Sequence, residues 1–370
     1  MRGIKLFIVL LASVLVSSCK DPIWMKMHTT ISSDGTCKRE VSYAVSVKRE
    51  VADSLRNGQM KVSPIPKQID TTSCKSYETE ILSEGGTETQ GVAGREKERR
   101  DTVMTKFTFD YETVEQMGEK IPLRFYGWDK SERLKSETKV EKWFRWFYTD
   151  YEYSETYAGV GDIFPVQMTD YLSQEEASYW CTGLPNLVEG LSGAEAKEKL
   201  DAIEKKVNKW GEDAEFLIYF DYIVSHYDSI SNPPVSRQRF VELKDSLRQF
   251  KTKGSNRFDE YFHTDAFGIF DDGKSLAGKG LEEHFMKLMI ISEFEVSCSL
   301  SMPGRIVGHD YGVVKDNVLY YKLSGEAMMA GDYTVTVRSR EVNTWAYVVT
   351  ILIVVVAVGS PLYIRRRRGK

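Results

Sequence analysis

Hydrophobic and polar positions change period three times along the chain. From Trp24 to about Val166 they mostly alternate, the signature of half-buried strands. "MKMHTTISSDGTCKREVSYAV" reads as a hairpin whose turn falls at Asp34-Gly35, residue types that accept the positive φ of tight hairpin turns. A short helix follows, ending near Asn57-Gly58, and "LSEGGTETQGVAGREKERRD" has too little apolar content for a packed element and reads as a mobile loop or hairpin tip. Val103, Thr105, Phe107 and Phe109 restore the strand period, and Thr113 with Gln116 forms a capping box opening another short helix.

From Tyr171 to Ile290 the period is helical. Capping boxes stand at Ser173/Glu176 and Ser192/Glu195, and after the second an apolar stripe runs through Ala196, Leu200, Ile203, Val207, Trp210, Ala214 and Leu217. Asn232-Pro233-Pro234 interrupts, Ser236 opens a further helix through Phe250, and a last one covers Lys279 to Met289. After Ile291 alternation returns at Phe294, Val296 and Cys298, with turns at Pro303-Gly304 and Asp316-Asn317 and a closing strand at Thr334–Val337. The expected fold class is α+β: a β-rich domain in two parts, 19–168 and 291–340, with a helical insertion at 169–290. Two consecutive domains, the last strands forming a separate module, is the alternative organisation.

The densest aromatic stretch is "WFRWFYTDYEYSETY", residues 143–157. A central strand covered on both faces is one reading, because successive side chains of a strand point in opposite directions. The other is a partly exposed platform at Tyr148, Tyr151 and Tyr153, suited to stacking on a sugar or a lipid, with Asp150, Glu152 and Glu155 marking a wet edge.

Both ends carry apolar runs. Trp345–Ile364 holds 20 residues without a charge, about 30 Å as a helix, and predicts a transmembrane helix. Arg365, Arg366, Arg367 and Arg368, with Lys370, follow as a basic tail at 365–370, which under the positive-inside rule is cytoplasmic and leaves the bulk of the chain outside. Arg2 and Lys5 precede an 11-residue apolar run, Leu6–Val16, so residues 1–18 read as a signal peptide. The "VSSC" that closes it resembles the lipobox of bacterial lipoproteins, which implies cleavage and lipidation at Cys19; ordinary signal-peptide cleavage nearby is the alternative. The expected location is the cytoplasmic membrane, with a single pass and a lipid on Cys19.

Charge narrows the partners. The formal net charge is −4, of which the tail supplies +5 and the amino end +2, leaving −11 for residues 20–344, a poor surface for nucleic acid. Cys37, Cys74, Cys181 and Cys298 allow two disulfides in three pairings. Cys37–Cys74 is the expected bridge, since both lie in the first β-rich part with 36 residues between them.

The strand ending in "SMPGRIVG", the "DNVLYYKL" strand and the final strand leading to an apolar run and basic tail together resemble LppM-type lipoproteins of bacterial envelopes, over about 70 of the 370 residues. The resemblance implies an α+β extracytoplasmic domain and no established catalytic residues. The long helical stretch departs from that pattern.

Nucleophile elbows, P-loops and HExxH helices are absent from the sequence, its five histidines lack ligand spacing, and Asp271-Asp272-Gly273 fits a turn better than a calcium loop. No catalytic residue, cofactor or metal ligand is therefore expected. The functional expectation is a non-enzymatic envelope protein that binds or scaffolds another component, its partners being membrane lipid and an unknown envelope protein or glycan. A hydrolase whose site is assembled from distant residues is the alternative.

Overall fold

A computed structural model describes residues 24–83, 100–125, 134–251 and 256–368, with side chains described up to Gly359. The signal peptide 1–18, Cys19, most of the loop near Gly91 and residues 369–370 lie outside the described residues.

The Asp34-Gly35 turn joins β1 (Trp24–Ile31) to β2 (Cys37–Lys48), with Gly35 at φ +93° and the Asp34 carboxylate accepting from the Thr36 amide at 2.9 Å. A side chain at that φ would be strained, which is why glycine stands there. After α1 (Arg49–Arg56) come β3 (Ser76–Ser83), β4 (Arg100–Tyr111) and α2 (Val114–Glu119), whose cap is Thr113 as its spacing predicts. β5 (Ser136–Phe144) and β6 (Tyr148–Tyr157) then form a second hairpin.

The helical stretch comprises α3 (Gln174–Thr182), α4 (Gly193–Ser225), α5 (Arg237–Glu242), α6 (Lys244–Gln249), α7 (Arg257–Phe262) and α8 (Leu276–Glu293). Ser173 and Ser192 each accept from the amide three residues on, and Glu176 and Glu195 return the bond, so both capping boxes form. Along α4, Ile203, Val207, Trp210, Ala214 and Leu217 are buried, whereas Leu200 is exposed, so only the later part of the apolar stripe packs. Asp213 is buried on the same helix, where it accepts from Lys209 Nζ at 2.9 Å, Arg248 Nε at 2.8 Å and the Tyr171 hydroxyl at 2.8 Å.

The chain then returns to strands: β7 (Glu295–Ser301), β8 (Arg305–His309), β9 (Val313–Lys315), β10 (Val318–Ser324), a one-turn helix α9 (Gly325–Met329) and β11 (Tyr333–Val342). Asp316 and Asn317, both at positive φ, turn β9 into β10. Strands from before and after the helices share both sheets. One sheet runs β3-β4-β2-β1-β7-β10-β9, with β1 and β7 parallel, and the other β5-β6-β11-β8. The helices thus interrupt a single β framework. They are fastened to it where Gln174 Nε2 donates to the Ala330 carbonyl at 2.7 Å, and where Gly325 passes so close to the end of α8 that an added Cβ would lie 1.7 Å from the Ile291 oxygen.

The two sheets face each other across the main core. Met27, Val41, Phe107 and Leu300 come from the larger sheet, and Tyr153, Tyr157, Val335 and Val337 from the smaller. On β6 the inward positions are Thr149, Tyr151, Tyr153, Glu155 and Tyr157, an apolar row with one acid in it.

Two expectations need correcting. The last helix, α10 (Thr344–Arg368), covers the segment expected to span a membrane, yet among the described residues no helix is long and apolar enough to do so. The transmembrane part of the expected fold class falls with that finding. The second correction concerns Cys37 and Cys74, which are free thiols. Cys37 pairs with Tyr111 on one side of β4, while Cys74 lies against Thr108 on the other. An intervening strand sets them about 10 Å apart at the least, beyond the reach of a disulfide.

Candidate binding surface

β5 and β6 are joined by Arg145-Trp146-Phe147, so the aromatic stretch is a hairpin with its tip at 145–147 and not one continuous strand. None of these residues is a usual turn former. The tip is held from outside by Asn343, which links β11 to α10: its amide donates to the Phe147 carbonyl at 2.9 Å, and its side chain donates to the Arg145 carbonyl at 2.8 Å and accepts from the Thr149 hydroxyl at 3.1 Å. The Arg145 amide closes the turn onto the Tyr148 carbonyl at 2.8 Å. Asn343 therefore satisfies the polar backbone of the tip and leaves its side chains free to point outward.

Those side chains meet the start of α10. Phe144 stacks on Trp345 with ring centroids 6.2 Å apart, Trp146 meets Trp345 edge-on at 5.3 Å, and Phe147 lies 4.7 Å from Tyr347. The Trp146 indole donates to the Thr350 hydroxyl at 2.9 Å. Such ring geometries are favourable beyond the area they cover. The cluster is nevertheless open: Phe144 keeps 59% of its surface, Trp345 51%, and Trp146, Phe147 and Tyr347 are also exposed, while the exposed Trp143 stands opposite Asp150 on the outer face of the sheet. The surface continues along α10 through Val348, Ile351 and Leu352. Lys142 and the exposed Arg145 border it.

The neighbouring outer face of the smaller sheet is of opposite character. Arg340 and Arg338 on β11 stand directly opposite Asp150 and Glu152 on β6, and each pair closes as an ion pair, at 2.7 Å and 2.6 Å. That face is charged and built for water, so the aromatic surface is confined to one end of the sheet.

The residues expected to form a platform fall elsewhere. Tyr151 and Tyr153 are buried in the main core, at 3% and 0% exposure, and their rings present no outer surface. Tyr148 is half-buried beneath the Arg340 guanidinium, 4.0 Å from its ring centre. The strand period supports the core placement, since Tyr151 and Tyr153 share an inward face with Glu155.

Inside the framework lies a polar cluster that sequence reading missed. Arg39 on β2 and Glu155 on β6 are both fully buried; Arg39 Nη2 donates to the two Glu155 oxygens at 2.9 and 3.0 Å, and Arg39 Nε donates to the Thr29 hydroxyl at 3.1 Å. Tyr153 donates to Glu155 at 2.8 Å. Burial opposes the charge on Arg39, and the Glu155 carboxylate overrides it, so the guanidinium is held protonated. Burial, with the same carboxylate adding to it, pushes the Tyr153 and Tyr157 hydroxyls far above the usual phenol range, and burial raises the neighbouring Cys298 thiol to about 12. With every member sealed from solvent, the cluster ties the sheets together and offers no route to a substrate. No group of three or more His, Cys, Asp or Glu is placed to hold a metal ion among the described residues.

No protein-family model, curated protein or solved structure matches the chain.

Proposed function

We propose that the protein is a lipid-anchored, extracytoplasmic and non-enzymatic component of a bacterial envelope, which binds or scaffolds another envelope constituent through the aromatic surface at 144–147 and 345–347. The observation that carries this reading is the clustering of five exposed aromatic side chains, Phe144, Trp146, Phe147, Trp345 and Tyr347, on one end of the molecule. Scattered exposed apolar residues are ordinary, whereas a contiguous patch marks an interaction site. Anchoring rests on "VSSC" and Cys19, and the envelope setting on the same amino-terminal signal.

The test is a crosslinking pull-down from intact membranes, comparing the natural chain with Phe144→Ser/Trp146→Ser. Loss of the captured species, with the thermal melt of the variant within a few degrees of the parent, supports the assignment. Undiminished capture by a folded variant removes this surface from the function.

A further inference from the structure

The aromatic surface also indicates what it touches. We infer that it seats in the interfacial layer of an anionic lipid bilayer, with the hairpin tip 145–147 and the first turns of α10 at headgroup depth. The inference rests on the binding role proposed for this surface and assigns its partner. It concerns the interface only and requires no crossing of the bilayer.

Three observations converge on a lipid interface. The first is composition: Trp146, Trp345 and Tyr347, with Phe144 and Phe147, are the residue types that gather where one end of a side chain is apolar and the other wet. A protein partner of mixed chemistry would be met by a polar rim interleaved with the aromatics, but here the charges are gathered in the Asp150–Arg340 and Glu152–Arg338 ladder on the adjoining face, with Arg145 reaching back to Asp150 at 3.9 Å.

The second is geometry. Backbone polar groups at the tip are turned inward onto Asn343, and the Trp146 indole is spent on Thr350, so the outward surface can lose water at low cost in unmade hydrogen bonds.

The third is charge. Residues 20–344 are strongly acidic as a whole, yet Lys142 and Arg145 flank the aromatics, and from Asn343 to Lys370 the sequence has no acid. Basic groups beside an apolar surface favour anionic headgroups, by about 1 kcal/mol for each group near the membrane.

The test uses the full chain with Cys19→Ser, so that no acyl chain contributes, mixed with vesicles of phosphatidylcholine alone or with phosphatidylglycerol added. Lipids brominated near the glycerol end of the acyl chains should quench tryptophan fluorescence more than lipids brominated near the terminal methyl. Trp146→Phe/Trp345→Phe, which keeps the aromatic surface, should still bind the vesicles and lose most of that quenching. Arg145→Gln should weaken partition onto the anionic vesicles about fivefold, the share of one basic group, and leave neutral vesicles unaffected.

Quenching that survives in the Trp146→Phe/Trp345→Phe variant would place the lipid contact elsewhere and overturn the inference. So would absence of quenching in a chain that instead forms concentration-dependent dimers, which would make the surface a contact between copies. If quenching fails while the membrane pull-down still depends on Phe144 and Trp146, the lipid assignment falls and the binding role stands.

Discussion

Arg39 and Glu155 meet across the two sheets with no solvent on either side chain, one guanidinium nitrogen bridging both carboxylate oxygens at 2.9 and 3.0 Å. Such a pair need not add net stability, because both ions must be stripped of water, but breaking it leaves a buried charge uncompensated. Glu155→Leu alone should therefore cost about 3 to 5 kcal/mol, and Arg39→Met/Glu155→Leu together should cost clearly less than the single change. Denaturant unfolding of the three proteins checks this, and a double variant less stable than Glu155→Leu would contradict it.

The acid dependence of the helical stretch should centre on Asp213. Burial raises its pKa, but hydrogen bonds from Arg248, Lys209 and Tyr171 outweigh it and hold the carboxyl well below its ordinary 3.8. A depressed carboxyl stabilises the fold above its unfolded-state pKa, and the contribution fades as pH falls through that value toward the folded one. Asp213→Asn should be less stable than the parent at pH 7, and the gap should narrow below about pH 4. Paired urea titrations across pH measure it; a gap that widens on acidification would refute the role.

Thiol reactivity should follow the strands rather than the cysteine spacing. Burial pushes the Cys37 thiol up to about 11 and Cys298 up to about 12, while Cys74 is only half-buried, just before the edge strand β3. A thiol-specific reagent should label Cys74 in the native protein well before Cys37 or Cys298, and mass spectrometry of the unreduced protein should show no Cys37–Cys74 peptide pair. Recovery of that pair would mean the strand order around β4 is wrong.

Asn343→Ala should loosen the hairpin tip without unfolding the sheets. The variant removes the side-chain bonds to the Arg145 carbonyl and the Thr149 hydroxyl and keeps the backbone bond to Phe147. The cost should be about 0.5 to 1.5 kcal/mol, since the Arg145 bond is exposed to water and only the Thr149 bond is half-buried. Hydrogen exchange should quicken at 145–148, with β11 beyond Arg340 little changed; uniform quickening through both sheets would assign Asn343 a global role instead.

What could be read from the sequence was local. Asp34-Gly35, Asp316-Asn317 and the serine caps at 173 and 192 each carry their own turn or cap chemistry within four residues, and each forms where it is expected. The hairpin tip 145–147 has no such chemistry, because its turn is specified by Asn343, some 198 residues away from Arg145. Glu155 reads as an outward polar position until Arg39, 116 residues earlier, is seen to answer it. Cys37 and Cys74 look close along the chain and are separated by β4, which arrives later. For the aromatic stretch, burial is the reverse of what its acids suggest: the half rich in Asp and Glu is the core strand, and the half without them is the exposed surface.

The central claim is that the end of the smaller sheet carrying Phe144 is the working surface and that the charged face beside it is not. A photoreactive residue placed at position 144, and separately at position 152, in the full chain and activated in intact envelopes tests this most directly. Position 144 should yield an adduct, of lipid mass if the interfacial assignment holds, and position 152, on the water-facing ladder with Arg338, should yield none. Equal adducts from both positions, or an adduct from 152 alone, would contradict the claim.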